Sequence, residues 1–442
     1  MGSYRREIPW LFLDERFLLR MNYQDSLKFL EDLGKKGINM DLGPVSRLLA
    51  RLGNPHRKYK TIHIGGSNGK GSVGAMLASI LKAGGYRVGL YTSPHLVDFR
   101  ERIRIDDRII SEEDMTGCVD HIRRSIREDI TYFEMATVIA FLYFQLCHVD
   151  IAVAEVGMGG RLDATNCVDP ELSIITNISL EHQQYLGRRL EEIAREKGGI
   201  IKEQRPLITG VRQKHVIALL EEMARQKHAP FMREGKDFQV RYRGEGKISY
   251  YGMLKSFRNI PLPLPGRHQV GNASLALAAT EILQQKGFVL SDEEVTQGIA
   301  ATRWEGRLET LSADPRVIVD GAHNIAGMSV LCRALRSDFS YERLIVVFGV
   351  MNDKNYGRML RMLAGMADMV IMTEPEVTRS LPAERLYTLA QTCDVPAEVV
   401  KNPREAVLQA VKLAGRSGLV CVTGSLYLVG AVKADFPFRM AT

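Results

Sequence analysis

A chain of 442 residues is too long for one ordinary hydrophobic core, so two domains are expected. With 45% hydrophobic and 25% charged residues, its composition is that of a soluble globular protein. The net charge of +7, from 59 basic and 52 acidic residues without a polybasic tail, argues against nucleic-acid binding and favours a basic cleft for anions. Six cysteines (118, 147, 167, 332, 393, 421) form no CxxC pair and fit a reduced cytoplasm. The N-terminal segment has acidic residues within its apolar part and no clear cleavage site, so no signal peptide is expected. The longest uncharged apolar run, 135–147, is too short to span a bilayer and reads as a buried helix. No membrane partner is expected.

In chain order, a short apolar run, a Gly- or Asp-bearing turn and a helical pattern recur. Candidate strands are "KTIHIGG" (60–66), "RVGLYTS" (87–93), "DIAVAEVG" (150–157) and "LSIITNI" (172–178). Such continuous β-branched runs suit strands buried on both faces of a parallel sheet. Between the first two, "SVGAMLASILKAGG" (72–85) reads as a helix ending in paired glycines, completing a β-loop-α-β unit. Residues 261–283 hold a proline-rich entry and an apolar helix, and "TRWEGRLE" (302–309) is the expected linker. The pattern then restarts, with strands at 316–321, 343–350, 368–374 and 418–425 and helices near 324–336, 355–366, 382–392 and 404–415. The fold class is therefore α/β, with a mostly parallel sheet domain over 1–302 and a smaller Rossmann-like domain over 303–442.

The turn "HIGGSNGKGSVGAML" (63–77) joins the first strand to its helix. A glycine-rich turn there aims backbone N–H groups at one point, where the helix dipole also favours an anion. Lys70 can reach the outer phosphates of a nucleotide, and Ser72 or a nearby hydroxyl can meet Mg²⁺. The usual G-x-x-x-x-G-K-[ST] pattern is not satisfied, because Ile64 replaces the first glycine and Gly71 separates Lys70 from Ser72. Three residues at strand ends could complete a metal site: Ser93, Glu155 and His182. A hydroxyl and a carboxylate suit Mg²⁺, and one imidazole is tolerable where waters fill the rest. Each alone is an ordinary polar residue or turn former; only the constellation is informative.

Ten motifs carry a resemblance: "GGSNGKGS", "TSPHL", "EVGMGGRLDATN", "EHQQYLG", "REKGGI", "GRHQVGNASLALAA", "GRLE", "DGAHN", "FGVMNDKN" and "GSLYLVG". Their order, over roughly residues 22–430, resembles that of the folylpolyglutamate and dihydrofolate synthases of the Mur-ligase superfamily. These are ATP-dependent amide-bond-forming enzymes, and a glycine between the lysine and serine of the turn is typical of them. The resemblance implies ATP and Mg²⁺ as cofactors. It gives Asn68, Gly69, Lys70, Gly71 and Ser72 to the phosphates, Ser93 and Glu155 to one Mg²⁺, and His182 to a second. Lys197 matches a lysine that the family carbamylates into a metal ligand; read alone, it is a solvated helix charge. Asn272, Arg307 and Asp320 match contacts to adenine, phosphates and ribose, while His323, Ser425 and Tyr427 would face the incoming glutamate.

On the pterin side, Asp41, Leu42, Gly43 and Pro44 resemble a "DLGL" segment with Pro44 in place of leucine. Thr131, Tyr132, Phe133 and Glu134, with Leu162, Asp163 and Ala164, resemble the rest of the dihydropteroate pocket. Without the family, Asp41 reads equally as a helix start and Phe133 as core packing. Glu181, where an Asp usually precedes the histidine, and His268, at a variable position, are departures. The implied reaction adds L-glutamate to dihydropteroate or to reduced folate through an acyl phosphate, in a cleft that closes between two domains, with Lys70, Lys197, His182 and Arg307 as the catalytic set. Polyglutamylation alone is the alternative. A cell-wall Mur ligase would need a UDP-sugar domain where only about 60 residues precede the turn, and a non-catalytic nucleotide-binding regulator is the remaining class. The expected partners are small molecules only, acting on a monomer.

Overall fold

The structure, a computed structural model, describes residues 21–375 and 377–436. The first 20 residues, part of the stretch read above for a signal segment, lie outside the described residues. The β-branched runs become strands because their side chains find helices on both faces. The strands of the first unit are β1 (Lys60–Gly65), β2 (Val88–Tyr91), β3 (Ile103–Ile105), β4 (Arg108–Ile109), β5 (Ile151–Glu155), β6 (Leu172–Ile175), β7 (Leu207–Thr209) and β8 (Phe231–Arg233), of which β1, β2, β5 and β6 are the runs read above. Their order is β4-β3-β2-β5-β1-β6-β7-β8, parallel from β2 to β8 with an antiparallel β3–β4 edge.

Alternation along β2 shows how both faces are covered. Leu90 meets Gly74 of the helix Lys70–Ala83, while Gly89 lies against the Phe144 ring of the helix Tyr132–Leu146. The second helix is buried nearly all round, which explains its lack of a polar face. The helix Asp292–Ala301 packs on Lys70–Ala83 through Gly298, where a side chain would strike the Ile80 backbone, and Ser79 Oγ donates to Gly298 O at 2.6 Å.

Three further strands, β9 (Gln239–Gly244), β10 (Lys247–Tyr251) and β11 (Ser256–Pro261), form a separate antiparallel sheet ordered β11-β10-β9. Its loop is pinned by the buried Glu281 carboxylate, which accepts from Tyr250 OH at 2.7 Å and from the N–H groups of Met253, Leu254 and Lys255 at 3.0, 2.9 and 2.7 Å. The sequence reading did not foresee this sheet.

The other unit holds β12 (Glu309–Ala313), β13 (Arg316–Asp320), β14 (Leu344–Phe348), β15 (Met369–Met372), β16 (Ala397–Val399) and β17 (Leu419–Thr423). The order is β12-β13-β17-β14-β15-β16, parallel except for β12. Ile318, Val346 and Val370 enter one core with the helices Ile325–Ser337 and Tyr356–Ala364; Val317, Ile345 and Ile371 enter the other with Pro403–Ala414 and Leu426–Asp435.

Among the described residues, the first compact unit comprises 21–93, Arg100–Pro261 and Gly271–Thr302; the second comprises Pro94–Phe99, Leu262–Val270 and those from Arg303 onward. Leu96 lies in the second unit's core, its backbone against Gly430, where a Cβ would collide. The stretch read as a linker is fastened at its end: Lys433 Nζ pairs with Glu305 at 2.8 Å and Glu309 at 2.6 Å. Among the described residues no helix is long and apolar enough to cross a membrane.

Candidate active site

β1 ends at Gly65, and the chain turns through Gly66 (φ +134°) and Gly69 (φ +85°) before the helix starts at Lys70. Both angles suit glycine. Gly69 is the N-cap and offers no side chain, so the first N–H groups of this helix lack a side-chain cap. The Asn68 N–H is taken by Asn177 Oδ1 at 3.1 Å, so Asn68, expected among the phosphate-binding residues, has no free backbone donor for a ligand. The Asn272 amide packs over Gly69, Oδ1 lying 2.5 Å from where a Cβ would stand.

Four charges gather behind the turn. Lys70 Nζ donates to Gly66 O at 3.2 Å and lies 3.6 Å from Glu155 Oε1 at the end of β5. The Ser93 N–H donates to Glu155 Oε2 at 3.4 Å. Lys197 Nζ also donates to Gly66 O, at 3.0 Å, and pairs with Glu181 Oε1 at 2.7 Å. Lys197 is only 2% exposed, which corrects its reading as a solvated helix charge. Burial pulls its pKa below that of a free lysine, against the opposing pull of Glu181. Burial pushes the Glu181 carboxyl up, but Lys197, Lys70 and His182 outweigh it and hold the group below the usual range. His182 follows on the same loop with φ +44°.

The three segments expected on the pterin side are each held by structural contacts. Asp41 is exposed and its Oδ1 accepts the Gly43 N–H at 2.9 Å, starting the helix Gly43–Arg51. Pro44 stands in that helix's first turn, where no N–H is needed, so it leaves the start intact. Thr131 and Glu134 form a capping box for the helix Tyr132–Leu146, and Asn39 Nδ2 donates to Glu134 Oε1 at 3.1 Å. The Arg102 guanidinium lies 5.4 Å from the Tyr132 ring centroid. Phe133 covers Gly157, leaving no room for a Cβ, and faces Tyr91 with ring centroids 6.2 Å apart.

Half-buried Leu162 and buried Ala164 flank Asp163. The Asp163 carboxylate already holds three internal donors: Met158 N–H at 2.9 Å, Thr165 N–H at 3.0 Å and Thr165 OH at 2.5 Å. Thr165 in turn meets His63 Nε2 at 2.8 Å, and burial lowers the His63 pKa to about 3. Burial raises the Asp163 pKa, opposed by those hydrogen bonds.

In the second unit, the Asp320 carboxylate at the end of β13 accepts Leu308 N–H and Ala322 N–H, both at 2.9 Å. Burial raises its pKa, with Arg307 opposing. Arg307 Nη1 lies 2.9 Å from a Cβ built on Gly321, and His323 Nδ1 is 2.8 Å from Gly321 O. Ser425, at the end of the adjacent β17, caps its own helix by accepting Tyr427 N–H at 3.1 Å. Half-buried His268, flagged as a departure, has its pKa lowered to about 4 by burial and by Arg307.

Two α/β units, one with a glycine-rich turn leading into an uncapped helix, are the frame that the comparisons match to a Mur-type ligase. The sequence matches the Mur ligase middle domain over residues 64–280 and the Mur ligase glutamate ligase domain over residues 306–426. It is 34% identical over 425 residues to the dihydrofolate synthase/folylpolyglutamate synthase of Bacillus subtilis, covering 93% of this chain and 98% of the relative. Among solved structures, Escherichia coli FolC in complex with DHPP and ADP superposes with a TM-score of 0.87 at 31% identity, covering 94% of this chain and 97% of that one. Mycobacterium tuberculosis folylpolyglutamate synthase, complexed with ADP and AMPPCP, superposes with a TM-score of 0.88 at 34% identity, covering 94% and 99%. The chain belongs to the dihydrofolate synthase/folylpolyglutamate synthase family of Mur ligases. It is an ATP- and Mg²⁺-dependent ligase that adds L-glutamate to pteroate or folate substrates.

Sequence reasoning missed Thr176, Asn177, Ser67 and Ser179, which tie the turn to the loop after β6. The available signal was a polar Thr-Asn pair directly after a buried strand.

Proposed function

We propose that the turn after β1 holds the ATP phosphates through the N–H groups of Gly69, Lys70, Gly71 and Ser72 and through the Lys70 ammonium. The observation that carries this is the uncapped helix start, with Lys70 and Lys197 both directed at Gly66 O. The substrate carboxylate attacks the γ-phosphorus, ADP leaves, and the glutamate amine then displaces phosphate from the acyl phosphate. Lys70 and Arg307 stabilise the charge spread over the transferring group. Ser93 and Glu155, hard oxygen donors beside Lys70, fit a Mg²⁺ ion, which when bound neutralises phosphate charge. Among the described residues no three His, Cys, Asp and Glu side chains cluster, so a second ion at His182 needs a further ligand. Carbamylated Lys197 would supply it: the lowered pKa leaves more neutral amine to take up CO₂, and the product's charge requires a cation beside Glu181.

Asn272, Arg307 and Asp320 are assigned to the nucleotide, and His323, Ser425 and Tyr427 to the incoming glutamate. The domain division at 302/303 assigns the ATP phosphates and the pterin to the first part, and glutamate together with the Arg307 and Asp320 contacts to the second. Both dihydropteroate and reduced folate are substrates in this reading, because all three segments that match the dihydropteroate pocket, 41–44, 131–134 and 162–164, are present in the chain. The test is turnover of dihydropteroate and of tetrahydrofolate with radiolabelled glutamate. No product from dihydropteroate restricts the enzyme to polyglutamylation. A cytoplasmic monomer fits the six unpaired cysteines, and sedimentation checks its mass.

A further inference from the structure

The loop after β6 is joined to the glycine-rich turn by an arrangement that one side chain dominates. Asn177 Nδ2 donates to Asn68 O at 2.8 Å, and Asn177 Oδ1 accepts the Asn68 N–H at 3.1 Å. One amide thus closes both backbone groups of a single residue, as a neighbouring strand would. Thr176 Oγ1 adds a second donor to Asn68 O at 2.7 Å, and its hydroxyl fills the space a Cβ on Gly66 would need. The Ser67 N–H donates to Asn177 O at 2.9 Å, and the Ser179 N–H donates to Ser67 Oγ at 3.0 Å.

This has a chemical consequence for phosphate. A carbonyl turned into an anion cradle repels the ligand; here the Asn68 carbonyl is held by two donors and cannot swing inward without losing both. The following residues, Gly69 to Ser72, keep their helical start. The same loop continues to Glu181, the partner of Lys197, so it links the cradle to that buried pair.

We propose that Asn177, assisted by Thr176, is a positioning residue for the nucleotide, holding the turn in its anion-accepting shape before ATP arrives. The proposal rests on the reading that this turn binds the ATP phosphates. Preorganisation lowers the ordering cost of binding, so its loss falls on nucleotide affinity and not on the pterin or glutamate.

The experiment compares MgADP binding by calorimetry, and KM for ATP, folate and glutamate, in wild type, Asn177→Asp, Thr176→Val and Lys70→Ala. Aspartate keeps the shape and the acceptor but loses the donation to Asn68 O. With one or two hydrogen bonds lost, the MgADP Kd and the KM for ATP are expected to rise about tenfold in Asn177→Asp, less in Thr176→Val. The KM values for folate and glutamate should stay within about threefold, a split that simple destabilisation would not produce. If Asn177→Asp does not fold, Thr176→Val carries the same readout. MgADP affinity within twofold of wild type in both variants, with Lys70→Ala weakened, overturns the positioning role alone. Unweakened binding in Lys70→Ala overturns the phosphate reading beneath it. Parallel rises in all three KM values with a lowered Tm also overturn the proposal.

Discussion

The two units share a design, an open, mostly parallel sheet with polar residues at the carboxyl ends of its strands, yet the helix after β1 starts differently from the helices after β13 and β17. In the first, the helix Lys70–Ala83 begins at a bare Gly69, and no side chain caps its N–H groups. In the second, the helices Ile325–Ser337 and Leu426–Asp435 are capped by Asn324 and Ser425, which accept from Gly327 N–H at 2.8 Å and Tyr427 N–H at 3.1 Å. The carboxylate of the second unit, Asp320, is likewise engaged with two backbone N–H groups. An uncapped helix start surrounded by lysines invites a phosphate; a self-capped one presents side chains for recognition. The strand-end architecture is common to both; what differs at these three helices is the cap.

The largest test of that contrast is Lys70→Ala. Loss of the cation beside the bare helix start should cut turnover about 10²–10³-fold. Steady-state kinetics at saturating ATP, alongside thermal unfolding, check it. Near-normal turnover would break the contrast at its root.

Lys197→Ala comes next, with an expected loss on the order of 10²-fold, partly restored by formate or acetate in the assay. Burial lowers the pKa of this amine, so its neutral, CO₂-reactive form persists to lower pH than for a free lysine. Activity should therefore rise with added bicarbonate, and intact mass of the active enzyme should show the carbamate. An unmodified mass at full activity rules the modification out.

Gly69→Ala sharpens the comparison directly. The added Cβ demands a left-handed backbone and meets Asn272 Oδ1 at 2.5 Å, so the start of the helix must shift. MgADP affinity should fall about tenfold. Unchanged affinity by calorimetry would show that the bare start is not what matters. The smallest effect belongs to the opposite case, Ser425→Ala, which removes a cap and should cost about 1 kcal/mol of stability. Denaturant unfolding reads that cost, and the KM for glutamate should rise a few-fold.

Much of this was legible from the chain. The strands at 60–65, 151–155, 344–348 and 419–423 stand where β-branched runs were read, because a strand buried on both faces must be apolar along its whole length. The small sheet at 239–261 was not legible: "QVRYRG" is mostly exposed, and the loop joining the other two strands is held by the distant Glu281 carboxylate. Pro44, which could have shifted its segment, instead falls in a helix's first turn. For Asp163 the sequence named the residue but not its partners, Met158 and Thr165, whose N–H groups its carboxylate accepts.

By itself the sequence determined two α/β sheets, the glycine turn between β1 and its helix, and the ordered motifs that mark the family. These are local matters: side-chain periodicity, the freedom of Gly66 and Gly69 at positive φ, and helix starts and stops act within a few residues. Only the tertiary structure decided that Lys197 is buried against Glu181 and reaches the carbonyl of Gly66, 131 positions earlier. It alone joined Asn177 to Asn68, 109 positions apart. No local rule sees such pairs, because a lysine on a helix is solvated until packing removes its water and supplies a counter-charge.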